Sequence, residues 1–209
     1  MKKIISSIFS IIVLSAFALH VNAQKGEWKM NLDYNYGLPS GSFKNDLISK
    51  SSSRGFSGDF MYGINDRFSV GIYGGYQDFY EKYPRQLYET GNHEVTSAVL
   101  SNSIQTIPIL ARGTFMPFGG KQAPVQPYLS AGAGVSIINF SQYLGEFGGT
   151  STNGSFTAQG GAGVMIPFGR YSIAGLSLGA DYNYIAYNKY GYNNLGNIGL
   201  HAGVYFPLK

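Results

Sequence analysis

Trp28-Lys29-Met30-Asn31-Leu32-Asp33-Tyr34-Asn35-Tyr36-Gly37-Leu38 decides how this chain is read. Large apolar or aromatic side chains alternate without a break with Lys29, Asn31, Asp33, Asn35 and Gly37, a period of two. Successive side chains on a strand point to opposite faces, so the stretch predicts a strand with one greasy face and one polar face. The rest of the chain has to say which face meets water.

Upstream, Met1-Lys2-Lys3 is followed by an apolar run from Ile8 to Leu19 and by Val21-Asn22-Ala23. A basic start, a short apolar core and a small residue at the end make a cleaved secretory signal peptide, residues 1–23, with the cut after Ala23. A membrane anchor would need about 20 apolar residues. Residues 24–209 then form one domain by length. There is no cysteine, hence neither a lipid-modified Cys nor a disulfide framework.

The formal charge of +4 includes Lys2 and Lys3, which leave with the signal, so the basic balance is no sign of a nucleic-acid partner. Charged residues make up 12% of the chain, against a usual value of about 25%. Glycine is abundant at 29 residues and aromatics reach 15%. A soluble exterior needs more charge than this. No apolar run after the signal approaches 18 residues, which excludes transmembrane helices. An all-β chain remains.

Seven further strands repeat the first pattern. After a long polar loop through Ser51-Ser52-Ser53, the second, about 54–64, sets Phe56, Phe60, Tyr62 and Ile64 against Ser57, Asp59 and Met61, and turns tightly at Asn65-Asp66. The third, 68–78, sets Phe68, Val70, Ile72 and Tyr76 against Ser69, Tyr73 and Gln77. Residues 79–102 form the largest loop, with room for a hairpin. The fourth strand, 103–116, carries Ile107, Ile109, Ala111 and Phe115 opposite Thr106, Pro108, Leu110, Arg112 and Thr114. The fifth, 126–138, is followed by a Gly-rich loop at 139–154, and the sixth runs to Ile166. The seventh, 173–187, sets Leu176, Leu178, Tyr182 and Tyr184 against Ser177, Asp181 and Asn183. After a loop at 188–194, the eighth sets Leu200, Ala202, Val204 and Phe206 against His201, Gly203 and Tyr205. Connections alternate long and short, the asymmetry of an eight-stranded antiparallel up-and-down transmembrane β-barrel with short periplasmic turns and long extracellular loops.

Alternation alone does not separate this from a soluble ligand-binding barrel. Volume does. An eight-stranded barrel has an interior just wide enough for side chains or one small ligand, and the apolar face brings Trp, Phe, Tyr and long aliphatics from every strand. The opposite face, mostly Gly, Ser, Asn, Gln and Thr, fits a narrow lumen. Aromatics gather at the strand ends as two girdles expected at the lipid interfaces: Tyr34, Tyr36, Tyr76, Phe79, Tyr80, Tyr182, Tyr184 and Tyr187 near the long loops, and Trp28, Phe68, Phe115 and Phe206 near the short turns.

The chain resembles the eight-stranded outer-membrane β-barrel proteins of Gram-negative bacteria, the porin-family or outer-membrane-protein-A-like barrels. The resemblance covers essentially all of residues 24–209. It rests on Gly37-Leu38-Pro39-Ser40-Gly41-Ser42-Phe43, on Thr106-Ile107-Pro108-Ile109-Leu110 and on Gln126-Pro127-Tyr128-Leu129-Ser130-Ala131-Gly132-Ala133-Gly134. Leu200-x-Ala202-x-Val204-x-Phe206 is similar to the C-terminal signal read by the outer-membrane assembly machinery, here followed by Pro207-Leu208-Lys209. The resemblance implies an outer-membrane location, with lipid and that machinery as partners, and names no extracellular partner.

The lumen face carries Lys29, Asp33, Asp59, Arg112, Asp181 and His201. Charges in a narrow lumen have to pair, because an isolated buried ion is costly. The expectation is a plug in which Arg112 sits among Asp33, Asp59 and Asp181, either a salt-bridged core or a gate for small ions. His20 leaves with the signal, His93 lies in a loop and His201 points inward, so no Ser/His/Asp set assembles. No enzyme activity, metal site or cofactor is expected. Gly132-x-Gly134 and Gly161-x-Gly163 have no helix after them and are not phosphate loops. Recognition by the outer loops is the third reading.

Overall fold

The computed structural model describes residues 26–90, 94–119, 124–168, 174–189 and 192–208; the expected signal peptide and His93 lie outside them. Its strands are β1 (Trp28–Ser40), β2 (Ser52–Gly63), β3 (Phe68–Lys82), β4 (Gln86–Thr90), β5 (Glu94–Ala98), β6 (Leu100–Phe115), β7 (Gln126–Leu144), β8 (Phe147–Pro167), β9 (Gly175–Lys189) and β10 (Tyr192–Leu208). A π-helical turn, Phe43–Leu47, follows β1. Eight strands close into an antiparallel barrel in the order β1-β10-β9-β8-β7-β6-β3-β2, and β4 and β5 form a separate hairpin between β3 and β6.

Closure joins the first strand to the last. Met30 lies opposite Phe206, Leu32 opposite Val204, Tyr34 opposite Ala202 and Tyr36 opposite Leu200. The apolar set of β1 points outward, with Leu32 45% exposed, while Asn31, Asp33 and Asn35 are buried inside. A slip of one residue would exchange the two faces, so the two-sided pattern fixes the register. Closure also removes every sheet edge from the lipid zone, where an unpaired backbone group has no partner.

At the end where β1 begins and β10 ends the connections are short. Asn65 Oδ1 accepts the backbone N–H groups of Arg67 and Phe68, each at 2.9 Å, and so closes the β2–β3 turn. At the opposite end several expected loops are strand. β3 continues to Lys82 and β6 starts at Leu100, which leaves only the β4–β5 hairpin and its flanks of the loop expected at 79–102. The loop expected at 139–154 is the top of one long hairpin in which Leu144 pairs with Phe147 around Gly145 (φ +64°) and Glu146. The loop expected at 188–194 is mostly the end of β9 and start of β10, with a register shift between Asn193 and Leu195 and a positive φ at Asn194.

These strands outlast the membrane. A spanning strand needs about 9–11 residues, and β7 and β8 have 19 and 21. The outward face of β7 runs Leu129, Val135, Ile137 and then Asn139 and Ser141, the latter two bonded across to Thr152 and Thr150 at 2.8 and 2.9 Å. At the same height the inward face turns apolar: Ile138 and Phe140 on β7, Ile104 on β6, Phe79 on β3, Ile185 and Tyr187 on β9, and Leu195 on β10 are all buried. The barrel is inside-out in its lower part and apolar inside in its upper part.

Two residues expected in the girdle are corrected by this switch. Phe79 and Tyr187 face the interior and are almost fully buried. Trp28, Tyr34, Tyr36, Phe68, Tyr76, Phe115, Tyr182, Tyr184 and Phe206 all alternate to the outer face of their strands. Trp28 stacks on Phe60 with ring centres 4.6 Å apart, Phe68 packs on Phe115 at 4.8 Å and Phe56 on Tyr76 at 5.4 Å.

Candidate functional site

The lumen is filled in layers. Nearest the short turns, a cavity of about 30 Å³ is lined by Lys29, Met61, Met116, Met165 and Tyr205 among others, with Arg112 and Tyr128 as its roof. The next layer is ionic. Arg112 Nη2 donates to Asp181 Oδ1 at 3.0 Å and to Ser130 Oγ at 2.8 Å, and its Nη1 lies 3.6 Å from Asp59 Oδ2. The guanidinium also lies over the Tyr73 ring, 5.0 Å from its centre. His201 bridges the layer: Nδ1 is 3.2 Å from Asp181 Oδ2 and Nε2 is 2.7 Å from the Tyr128 hydroxyl.

The strands make room for this cluster with glycine. Gly161 lies opposite Asp181 across β8 and β9, and a Cβ there would overlap Asp181 Oδ1. Gly71 and Gly132 flank Arg112 on either side. Both Asp181 oxygens are engaged, one by Arg112 and Ser130 and the other by His201, and charge-assisted contacts of this kind are the form in which buried ions are tolerated.

Of the six lumen charges read from sequence, Asp59, Arg112, Asp181 and His201 come together. Asp33 does not touch Arg112. Its carboxylate accepts the Ser177 hydroxyl at 2.6 Å and the Asn31 amide at 2.5 Å, and Ser177 also reaches Asn31 Oδ1 at 3.0 Å. Lys29 sits below, in the wall of the lower cavity. Tyr73 and Tyr128 complete the ionic layer and were missed by sequence reasoning, although aromatic rings on an otherwise polar inward face are a signal for them.

Above the ions lies a neutral layer. Gln159 Nε2 donates to Asn183 Oδ1 and Asn183 Nδ2 to Asn197 Oδ1, both at 3.0 Å, and Thr157 donates to Ser136 at 2.6 Å. A second cavity of about 30 Å³ lies among these groups.

The outer mouth is closed by the chain itself. The segment between β1 and β2, expected as a polar loop, folds inward and buries Phe43, Leu47 and Ile48 in the apolar collar of Phe79, Ile104, Ile138, Phe140, Ile185, Tyr187 and Leu195. Phe43 meets Phe79 edge to face at 5.0 Å. Polar groups tie the segment down: Glu81 accepts the backbone N–H of Ser49 at 2.5 Å and its hydroxyl at 2.9 Å, while Leu47 O accepts from Tyr83 Oη at 3.0 Å and from Asn102 Nδ2 at 3.3 Å. Phe43, Leu47 and Ile48 were missed by sequence reasoning, although apolar residues spaced i, i+4, i+5 in a polar stretch are a helical-face signal.

An antiparallel eight-stranded barrel with a lipid-matched belt, girdles at both rims and a charged, packed lumen belongs to the class of transmembrane barrels. The chain belongs to the outer membrane protein beta-barrel domain family, which matches residues 9–206, and the outer membrane is its location. Among solved structures, Neisserial surface protein A is similar at 22% identity with a TM-score of 0.52, over 86% of this chain and 96% of that one. OprG of Pseudomonas aeruginosa is similar at 14% identity with a TM-score of 0.53, over 90% of this chain and 98% of that one. Both likenesses are of fold. No curated protein matches the chain.

Proposed function

We propose that this chain is a closed outer-membrane barrel that acts in membrane structure or surface interaction rather than in passage of solutes. The observation that carries the reading is the double closure of the lumen, by the Arg112–Asp59–Asp181–His201 layer and, above it, by Phe43, Leu47 and Ile48. An ion crossing the barrel would have to break a buried salt-bridge network and then enter an apolar layer, and each step is expensive. The upper parts of β7 and β8, continuous with the barrel wall, and the separate β4–β5 hairpin supply surface for contacts outside the cell.

The competing reading is a small-ion channel gated at Arg112. It draws on the two cavities flanking the ionic layer, which would join if that side chain swung aside. Single-channel recording of the refolded protein in a planar bilayer separates the two. Silence is expected, and a steady conductance step would refute the closed barrel.

An enzyme is disfavoured by space. Tyr128, His201 and Asp181 are linked as hydroxyl, imidazole and carboxylate, the connectivity of a triad, but the cavities beside them, one at Tyr128 and one at His201 and Asp181, are each about 30 Å³, room for water and not for a lipid substrate. Export through removal of residues 1–23 is part of the proposal, and N-terminal sequencing of protein taken from membranes should begin at Gln24. Assembly through Leu200, Ala202, Val204 and Phe206 is the other part; all four face outward on the strand that closes the barrel.

A further inference from the structure

We propose that the apolar collar at the outer mouth is a binding site for one small apolar molecule, filled in the resting protein by the chain's own Phe43, Leu47 and Ile48. The inference goes beyond the closed-barrel reading, because it concerns what the upper compartment accepts, not whether the lower one conducts.

The collar has the architecture of a ligand barrel. Above the lipid zone the strands carry Asn139, Ser141, Thr150 and Thr152 outside and Phe79, Ile104, Ile138, Phe140, Ile185, Tyr187 and Leu195 inside. Eight strands enclose just enough space for side chains or one small ligand. Here that space is taken by three side chains from a connecting segment, which together displace on the order of 300 Å³, the lower end of the size range of small-molecule pockets. Part of the wall is laddered without them at this height, β3 to β6, β6 to β7, β7 to β8 and β9 to β10, while the β2–β3 and β8–β9 ladders end at Gly55–Gln77 and Thr157–Ile185.

The occupying segment is built like a lid. It leaves β1 through Gly41 at φ +59°, a conformation that glycine adopts without strain and that serves as a hinge. Its one helical turn is π-type, five residues long, with no side-chain cap at its start. Its polar ties include those to Glu81, Tyr83 and Asn102 and, from the Ser42 hydroxyl, one to the Asn194 carbonyl on β10 at 3.2 Å. These are side-chain ties that can be given up without breaking a strand ladder, so what mainly holds the segment is the burial of its three apolar side chains. An apolar molecule entering the collar would take over the packing of Phe43, Leu47 and Ile48, and its own burial has to offset their exposure as the lid swings out into water.

The chemistry sets the ligand class. The collar is aliphatic and aromatic, with the phenols of Tyr187 and Tyr192 among its rings. A short alkane, an aromatic hydrocarbon or a similar uncharged molecule fits; a charged solute does not.

The test uses isoleucine-methyl-labelled full-length barrel in lipid nanodiscs titrated with toluene. Ile104, Ile138 and Ile185 report the collar, and Ile72 and Ile109, on the lipid face, report partition into the bilayer. In the variant Phe43→Ser/Leu47→Ser/Ile48→Ser the three collar methyls should shift saturably while the lipid-facing ones drift linearly. Wild type should also shift saturably, at least tenfold more weakly because its lid must open first, and linear drift of its three collar methyls up to saturation of the probe would overturn the proposal. If the triple variant does not fold, Glu81→Gln takes its place: loosening the lid should tighten binding about two- to tenfold over wild type. Linear drift of Ile104, Ile138 and Ile185 in a folded lid variant, or equal affinity in wild type and variant, would overturn the proposal.

Discussion

Arg112→Ala is the substitution that tests the ionic layer. It removes at once the contacts to Asp181 at 3.0 Å and Asp59 at 3.6 Å, the bond to Ser130 at 2.8 Å and the stack on Tyr73. Two carboxylates are then left in the lumen without their cation, and breaking a buried pair in this way costs about 3–5 kcal/mol. A neutral bond in the same barrel, such as Ser177 to Asp33, should cost far less on Ser177→Ala, about 1 kcal/mol. The two variants therefore differ by several kcal/mol although each removes one side chain from the same lumen. Reversible urea unfolding in phospholipid vesicles, followed by the single tryptophan Trp28, reads both. A cycle with Asp181→Ala should show coupling above 1 kcal/mol, since the residues touch. If Arg112→Ala leaves stability unchanged while a conductance step appears in planar bilayers, Arg112 is a gate and not the centre of a salt-bridged plug.

Three further outcomes follow from placement. Leu110 and Leu47 are both 1% exposed, but Leu110 sits in the barrel wall and Leu47 on the lid; Leu110→Ala should cost about 3–5 kcal/mol, and Leu47→Ala less, because undocking of the lid caps its loss, as the same urea titration would show. Leu32→Arg puts a guanidinium on the lipid face near mid-strand and should cost about 2–4 kcal/mol in vesicles; no loss would mean that β1 turns its apolar face inward. Phe206→Ala, opposite Met30 at the closing seam, should lower the amount of assembled barrel in cells several-fold while leaving refolding in detergent intact, read by heat-modifiable gel mobility.

The fold was legible because period two and chain-wide lack of charge constrain each other. Alternation in β1 gave two faces, and only the volume of Trp28, Leu32, Tyr34 and their counterparts said which one lay outside. The same logic placed Arg112, Asp59, Asp181 and His201 on the inward face, and a narrow lumen left them few partners but one another. It erred on Asp33 because parity assigns a face, not a contact: Ser177 and Asn31 reach its carboxylate first. It also erred at 139–154, where Asn139, Ser141, Thr150 and Thr152 look like loop residues. Those strands continue, but their outer face meets water and no longer needs apolar side chains.

The solvent around the barrel, more than the strand pattern, decides which face is apolar. Within lipid, Val135 and Ile137 point out and Ser136 points in; one step higher, Asn139 points out and Ile138 and Phe140 point in. The pairing between β6 and β7 runs unbroken through this switch, from Phe115 opposite Leu129 to Leu100 opposite Leu144, so backbone geometry is not its cause. Above the switch the barrel faces water on its outside and must bury apolar surface inside, as any soluble domain does. Eight strands around a ring of seven inward apolar residues leave a hollow, and a hollow lined by Ile104, Ile138 and Phe140 without a filler would forfeit their packing contacts. Phe43, Leu47 and Ile48 fill it. That is why an otherwise polar connection between β1 and β2 carries three large apolar side chains, and why the mouth of the barrel, not its charged middle, is where an uncharged ligand would compete with the chain for its own interior.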